Sequence, residues 1–190
     1  MGIGYHLLPG VYPPSEDTFL LVEATAAEAR PGERVLEVCC GAGLAAMAAR
    51  QAGCRVTASD ISPRACRNAR LNRLDAVRAD LLPAFRGPFD LVACNPPYLP
   101  CGEDDRQSGA VDPSLDGGRD GLDVTRRLLA RAPTVLAPAG RLLLVASSLQ
   151  GLGQVERLLA DGGWGFEAAS RYRAFFEELR AYRCWRETRT

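Results

Sequence analysis

A chain of 190 residues has the size of one domain and can bury a substantial core, and an apolar fraction of 47% excludes a disordered polymer. The 23 basic side chains, all arginine, balance 23 acidic ones, so the basic surplus of a protein that tracks nucleic-acid backbones is missing. No apolar run reaches the ~18 residues of a membrane span, and residues 1–10 lack the basic-then-apolar pattern of a secretion signal. The seven cysteines, at positions 39, 40, 54, 66, 94, 101 and 184, show neither paired zinc-site spacing nor the even count of a disulfide framework. They read as small buried hydrophobes of a reducing cytosol, with no metal site.

In chain order, Ser15 is placed to cap a helix that opens with Glu16 and Asp17, charges that suit the helix dipole. Arg34 to Cys39 is a short apolar run, as a strand buried on both faces requires. Gly41, Ala42 and Gly43 form a turn into an alanine-rich helix that runs to Gln51. Cys54 to Ser59 is a second strand ending in Asp60. Ser62 and Pro63 then start a helix expected to reach Leu74. Ala76 to Ala79 is a third strand ending at Asp80, and Phe89 to Cys94 a fourth ending at Asn95. Val124 to Leu136 is predicted helical, Arg141 to Ala146 a fifth strand and Gln154 to Ala160 a helix. Phe166 to Arg171 and Leu179 to Arg186 form a closing pair of strands.

The alternation of strand and helix predicts an α/β fold. Its mostly parallel, seven-stranded sheet is covered by helices on both faces, and residues 1–190 form one domain. Ligands of such sheets bind at the carboxyl ends of the strands. Those ends carry Glu37, Asp60, Asp80 and Asn95.

Gly41 and Gly43 allow backbone to approach a ligand closely. Asp60, about 20 residues further on, can accept both hydroxyls of a ribose. Asp80 is placed to reach an adenine amino group, and Ile61 and Leu81, which follow these two carboxylates, are counted with them. Cys39 stands where a dinucleotide fingerprint needs its first glycine, so a pyrophosphate ligand is not expected. A phosphate-free adenosine ligand fits better. Glu37 favours a cationic one, and S-adenosylmethionine carries both an ammonium and a sulfonium.

Asn95, Pro96, Pro97 and Tyr98 follow the fourth strand directly. Two consecutive prolines leave the ladder and stiffen the turn, holding the Asn95 carboxamide at the strand end. The Asn95 oxygen and the Pro96 carbonyl can accept both hydrogens of one NH₂ group, and Tyr98 offers a flat face for a planar partner. An amide or aromatic amine attacks poorly because its lone pair is delocalised. Two acceptors drawing on its hydrogens return density to nitrogen and orient it.

The acidic-x-Gly-x-Gly-x-Gly motif of class I methyltransferases resembles Glu37, Gly41 and Gly43 here, with Cys39 replacing the first glycine. Val11 to Leu21 resembles the N-terminal signature of the short, eukaryotic and archaeal branch of the HemK-type protein-glutamine methyltransferases, and Gly117 to Asp123 resembles a second segment of that family. The resemblance implies a Rossmann-like fold and S-adenosylmethionine as cofactor. It also implies an N-terminal segment with Tyr12 and Thr18 close to the cofactor, and methylation of the glutamine of a release factor's Gly-Gly-Gln motif in the cytoplasm. A small zinc-binding activator subunit is the partner it implies. Two other readings share the tetrapeptide: an adenine-N6 nucleic-acid or small-molecule amine methyltransferase, and a cofactor-binding module without catalysis. His6, the lone histidine, and Trp164 and Trp185 read as surface, core or partner-facing residues. The arginines from 171 to 186 read as a solvated strand face.

Overall fold

The computed structural model describes residues 4–104 and 112–187. Helix α1 (Glu16–Glu28) precedes β1 (Arg34–Val38), α2 (Leu44–Gln51), β2 (Arg55–Asp60), α3 (Pro63–Leu71), β3 (Asp75–Arg78) and β4 (Phe89–Cys94). Then come α4 (Asp123–Arg131), β5 (Leu136–Ser147), α5 (Leu152–Asp161), β6 (Trp164–Arg173) and β7 (Glu178–Arg186). The seven strands form one sheet in the order β3-β2-β1-β4-β5-β7-β6. β1 to β5 pair in parallel, and β7 lies antiparallel between β5 and β6. This is the mostly parallel α/β sheet expected from the strand and helix alternation, in the Rossmann-like form that the family resemblance implies.

The central strands are buried on both faces, and alternate side chains feed two cores. Along β5, Leu142 and Leu144 enter the cluster that holds Leu128, Val155, Leu159 and Trp164, beneath α4 and α5. Leu143 and Val145 enter the opposite cluster with Leu20, Leu21, Ala24, Ala45 and Ala49, beneath α1 and α2. Strand order reverses between β1 and β4, so their carboxyl ends diverge around a crevice where a ligand fits.

Several boundaries differ from expectation for local reasons. Helix α3 stops at Leu71 rather than Leu74, because Arg73 takes a left-handed φ of 61°. Helix α4 ends at Arg131, where Pro133 falls in a single 3₁₀ turn, and Leu136 belongs to β5. Ser15 sits at the start of α1 but makes no side-chain cap bond, its hydroxyl donating to Glu16 instead. Ser62 does cap α3, accepting from Ala65 N at 3.3 Å. Of the arginines from 171 to 186, Arg171, Arg173 and Arg186 are exposed as expected, whereas Arg180 and Arg183 are half-buried and ion-paired. β7 is an inner strand, Arg180 pairs with Glu156 and Glu178, and Arg183 pairs with Glu28. Six of the seven cysteines are buried and Cys39 is half-buried.

Candidate active site

The crevice at the carboxyl ends of β1, β2 and β4 holds a cavity of about 310 Å³, within the range of small-ligand sites. Of the residues singled out in the sequence, it brings together Tyr12, Thr18, Glu37, Cys39, Gly41, Asp60, Ile61, Asn95, Pro96, Pro97 and Tyr98. Gly43, Asp80 and Leu81 fall outside its lining. Gly43 turns the chain into α2 at φ 81°, and a Cβ there would strike Leu74. Asp80 is exposed and ion-paired with Arg127. Leu81 is buried at φ 56° in the core. Asp17, which the sequence offered only as a helix-start charge, lines the cavity and is 3% exposed.

The glycine turn is built for close approach. Gly41 adopts φ 50°, and a Cβ placed on it would meet nothing within 4 Å, so the turn faces open cavity. Its N–H donates to Asp60 Oδ2 at 3.0 Å, while Ser62 N donates to Asp60 Oδ1 at 2.8 Å. Asp60 thus clamps the turn and leaves lone pairs for a ligand. Burial pushes its carboxyl above the ordinary range, and the N–H donors of Gly41, Ser62 and Ile61 pull it back. Cys39 holds φ 55°, a left-handed conformation that glycine would adopt without strain.

Glu37 is 5% exposed, and its Oε2 accepts from Ala46 N at 2.7 Å, at the amino end of α2. Burial pushes its carboxyl up to about 8, against the N–H groups of Ala46 and Ala45, with the Asp60 charge adding to the rise. Between its ordinary value of 4.5 and about 8, the folded chain therefore holds a proton that the unfolded chain releases. Stability conferred below that window is lost as pH rises through it. Glu37→Gln keeps an acceptor for Ala46 and removes the titration. In protein free of ligand, its thermal midpoint is expected to stay flat from pH 5 to 8 where the native midpoint declines, as scanning calorimetry across buffers would read.

At the acceptor side, Asn95 Oδ1 is buried without a hydrogen-bond partner, although buried acceptors are nearly always satisfied. It lies at the end of β4, lining the cavity. The loop that follows is braced from behind. Leu99 N donates to Leu115 O and Gly117 N to Leu99 O. A Cβ on Gly117 would come within 2.8 Å of Tyr98 Cα, and one on Gly121, at φ 76°, would overlap the Tyr98 carbonyl. Gly121→Ala is expected to cost about 1–3 kcal/mol of stability and to shift Tyr98. A lowered melting midpoint together with slower turnover would be measured, and a variant matching the native protein on both counts would refute the bracing.

Among the described residues, every carboxyl or basic side chain lining the cavity is acidic: Asp17, Glu37, Asp60 and Asp112. This acidic lining favours a cation over a phosphate. Among the described residues no cluster of His, Cys, Asp and Glu is arranged for a metal ion, and no helix is long and apolar enough to cross a membrane.

The sheet order, the glycine turn, the carboxylates at the ends of β1 and β2 and the unpartnered Asn95 define a class I S-adenosylmethionine-dependent methyltransferase. A methyltransferase-domain family profile matches residues 35–110. A Methanocaldococcus jannaschii protein assigned by name as a protein N5-glutamine methyltransferase is 33% identical over 97% of this chain and 96% of its own length. The mouse methyltransferase HEMK2 is 37% identical over 75% of this chain and 74% of its own. The release factor glutamine methyltransferase of Deinococcus radiodurans is 40% identical over 69% of this chain, which spans 52% of that longer protein. The chain belongs to the HemK-type protein-glutamine methyltransferase family. Its fold matches the Encephalitozoon cuniculi Mtq2 structure with a TM-score of 0.78 at 24% identity, over 94% of this chain and 99% of that one, and Mtq2 is there in complex with Trm112.

Proposed function

We propose that residues 1–190 act as one catalytic domain that methylates the side-chain amide of a glutamine in a protein, the Gly-Gly-Gln motif of a release factor being the acceptor. The observation that carries this reading is the buried, unpartnered Asn95 Oδ1 at the end of β4. An acceptor left without a donor among the described residues is suited to a donor brought by the substrate. A glutamine amide brings two N–H groups, one for Asn95 Oδ1 and one for the Pro96 carbonyl. The Tyr98 ring, held at the same loop, covers the amide plane. These contacts orient the nitrogen lone pair and raise its density, and the proton departs to solvent after transfer, so the site needs no strong base.

The bound cofactor supplies an electrophilic methyl carbon on a sulfonium. Glu37 and Asp60 suit its cationic and ribose parts, Gly41 leaves room for its chain, and Tyr12, Thr18, Cys39 and Ile61 complete its walls. Among the described residues the acidic lining argues against an acceptor that must seat phosphates, such as a nucleic acid. We further infer a small zinc-binding activator subunit, by analogy with the Mtq2–Trm112 complex, and action in the cytoplasm where release factors work. Methyl transfer from labelled S-adenosylmethionine to a release factor, mapped by mass spectrometry, tests the proposal. Label on the Gly-Gly-Gln glutamine supports it, and label confined to nucleic acid or metabolites overturns it.

A further inference from the structure

We infer that Asp17 is a positioning residue whose carboxylate fixes the phenol of Tyr98 and ties the N-terminal helix to the loop that grips the methyl acceptor. This rests on the acceptor role proposed above for Asn95 and Tyr98. Asp17 Oδ2 accepts from the Tyr98 hydroxyl at 3.3 Å and from the Tyr12 hydroxyl at 3.1 Å. Its Oδ1 accepts from its own neighbour Thr18, through N at 2.6 Å and Oγ1 at 3.2 Å. The carboxylate therefore uses both oxygens and lies almost wholly buried, at 3% exposure, on the cavity wall.

Its position on α1 is informative. The helix buries Asp17, Leu20, Leu21, Ala24 and Thr25, a single inward stripe, and Asp17 is its only charge. A buried carboxylate is costly unless it is bonded, and among the described residues two phenols answer it. One phenol comes from the segment before the helix. The other comes from 81 residues away, immediately after Asn95, Pro96 and Pro97. Gly117 and Gly121 pack closely behind the Tyr98 backbone, so the Asp17 bond fixes the remaining freedom of the side chain, the direction in which its ring projects. Burial, then the charges of Asp17, Glu177 and Tyr12, push the Tyr98 hydroxyl above its ordinary value, consistent with a neutral phenol that donates.

Asp17→Asn is the discriminating variant. An amide offers one oxygen, so either Thr18 or the two phenols lose their acceptor. The expected result is a loss of roughly 10-fold or more in kcat/KM for the protein acceptor, measured at saturating S-adenosylmethionine. In a Tyr98→Phe background the same substitution is expected to change kcat/KM by less than about 2-fold, because the phenol it serves is gone. A full-sized loss that persists in Tyr98→Phe overturns the inference. Tyrosine labelled with ¹³C at Cζ gives a readout independent of any acceptor. At neutral pH the Tyr98 resonance is expected to move in Asp17→Asn, because the hydroxyl loses its carboxylate acceptor. A resonance unchanged from the native protein overturns the inference even if no glutamine is ever methylated. A native protein that labels nucleic acid alone instead overturns the acceptor assignment, whatever the NMR result.

Discussion

Replacing Asn95 by Ala is expected to lower methyl transfer to glutamine by at least about 100-fold while leaving the affinity for S-adenosylmethionine within a few-fold. About 2.7 kcal/mol corresponds to 100-fold in rate. That is the loss seen when one preorganised hydrogen-bonding group is removed from the point where charge develops. Here the group is the Asn95 oxygen, which is buried with no donor among the described residues. Pro96 and Pro97 stiffen the backbone beyond it, and β4 fixes the backbone before it through register with β1 and β5. Asn95→Asp sharpens the test. It keeps an acceptor of the same size but adds a negative charge in a cavity already lined by four carboxylates. It should retain more transfer than Asn95→Ala if acceptance of the amide hydrogen is what matters. Single-turnover rates at saturating cofactor separate this from binding. Native-like transfer by Asn95→Ala would remove the basis of the glutamine proposal.

The site was legible in the sequence where local rules and sheet topology coincide. A parallel β/α alternation brings the carboxyl ends of β1, β2 and β4 to one crevice, so Glu37, Asp60 and Asn95 could be placed together from strand ends alone. The same rule lost precision with distance from the point of strand reversal. β3 is the edge strand, and Asp80 at its end turns to Arg127 instead of entering the cavity lining. Helix ends misplaced by several residues had visible causes, such as Pro133 inside the stretch assigned to α4. Asp17 was hidden for a different reason, since its partner Tyr98 is remote in sequence. A signal did exist: a carboxylate at the head of the stripe Leu20, Leu21, Ala24 is an acid on a face that should be apolar. Arg180 and Arg183 misled because their alternation with apolar residues matches a half-exposed edge. The acids that bury them, Glu28 and Glu156, come from helices on opposite faces of the sheet.

The largest stability effect is expected at Arg141, at the opposite end of the sheet from the cavity. Its side chain is 6% exposed, with Nε on Glu28 Oε2 at 2.9 Å and Nη1 and Nη2 on the two oxygens of Glu33, each at 2.9 Å. Nη1 also donates to the Asp90 carbonyl at 3.0 Å, and Nη2 donates to the Glu28 carbonyl. One guanidinium thus joins the end of α1, the turn before β1, β4 and β5. Arg141→Ala leaves Glu33 without its bidentate partner and two carbonyls short of a donor, whereas Glu28 keeps Arg183. Removing one partner of a buried pair costs about 3–5 kcal/mol, which for a chain of this length lowers the melting midpoint by roughly 6–20 °C. Arg141→Met is expected to cost less, because it refills the volume but still strands Glu33. Glu33→Gln in the Arg141→Met background should then recover part of the loss. The pH dependence has a definite sign. Burial pushes the Glu33 carboxyl up, but the Arg141 guanidinium and the Arg30 N–H more than offset it, leaving it below the ordinary range. Stability from this bond is present above the ordinary carboxylate range and is lost as pH falls through the depressed value. The native and Arg141→Met melting curves should therefore converge on acidification. A constant gap between them down to strongly acid pH would show that Arg141 stabilises by packing and not by its charge.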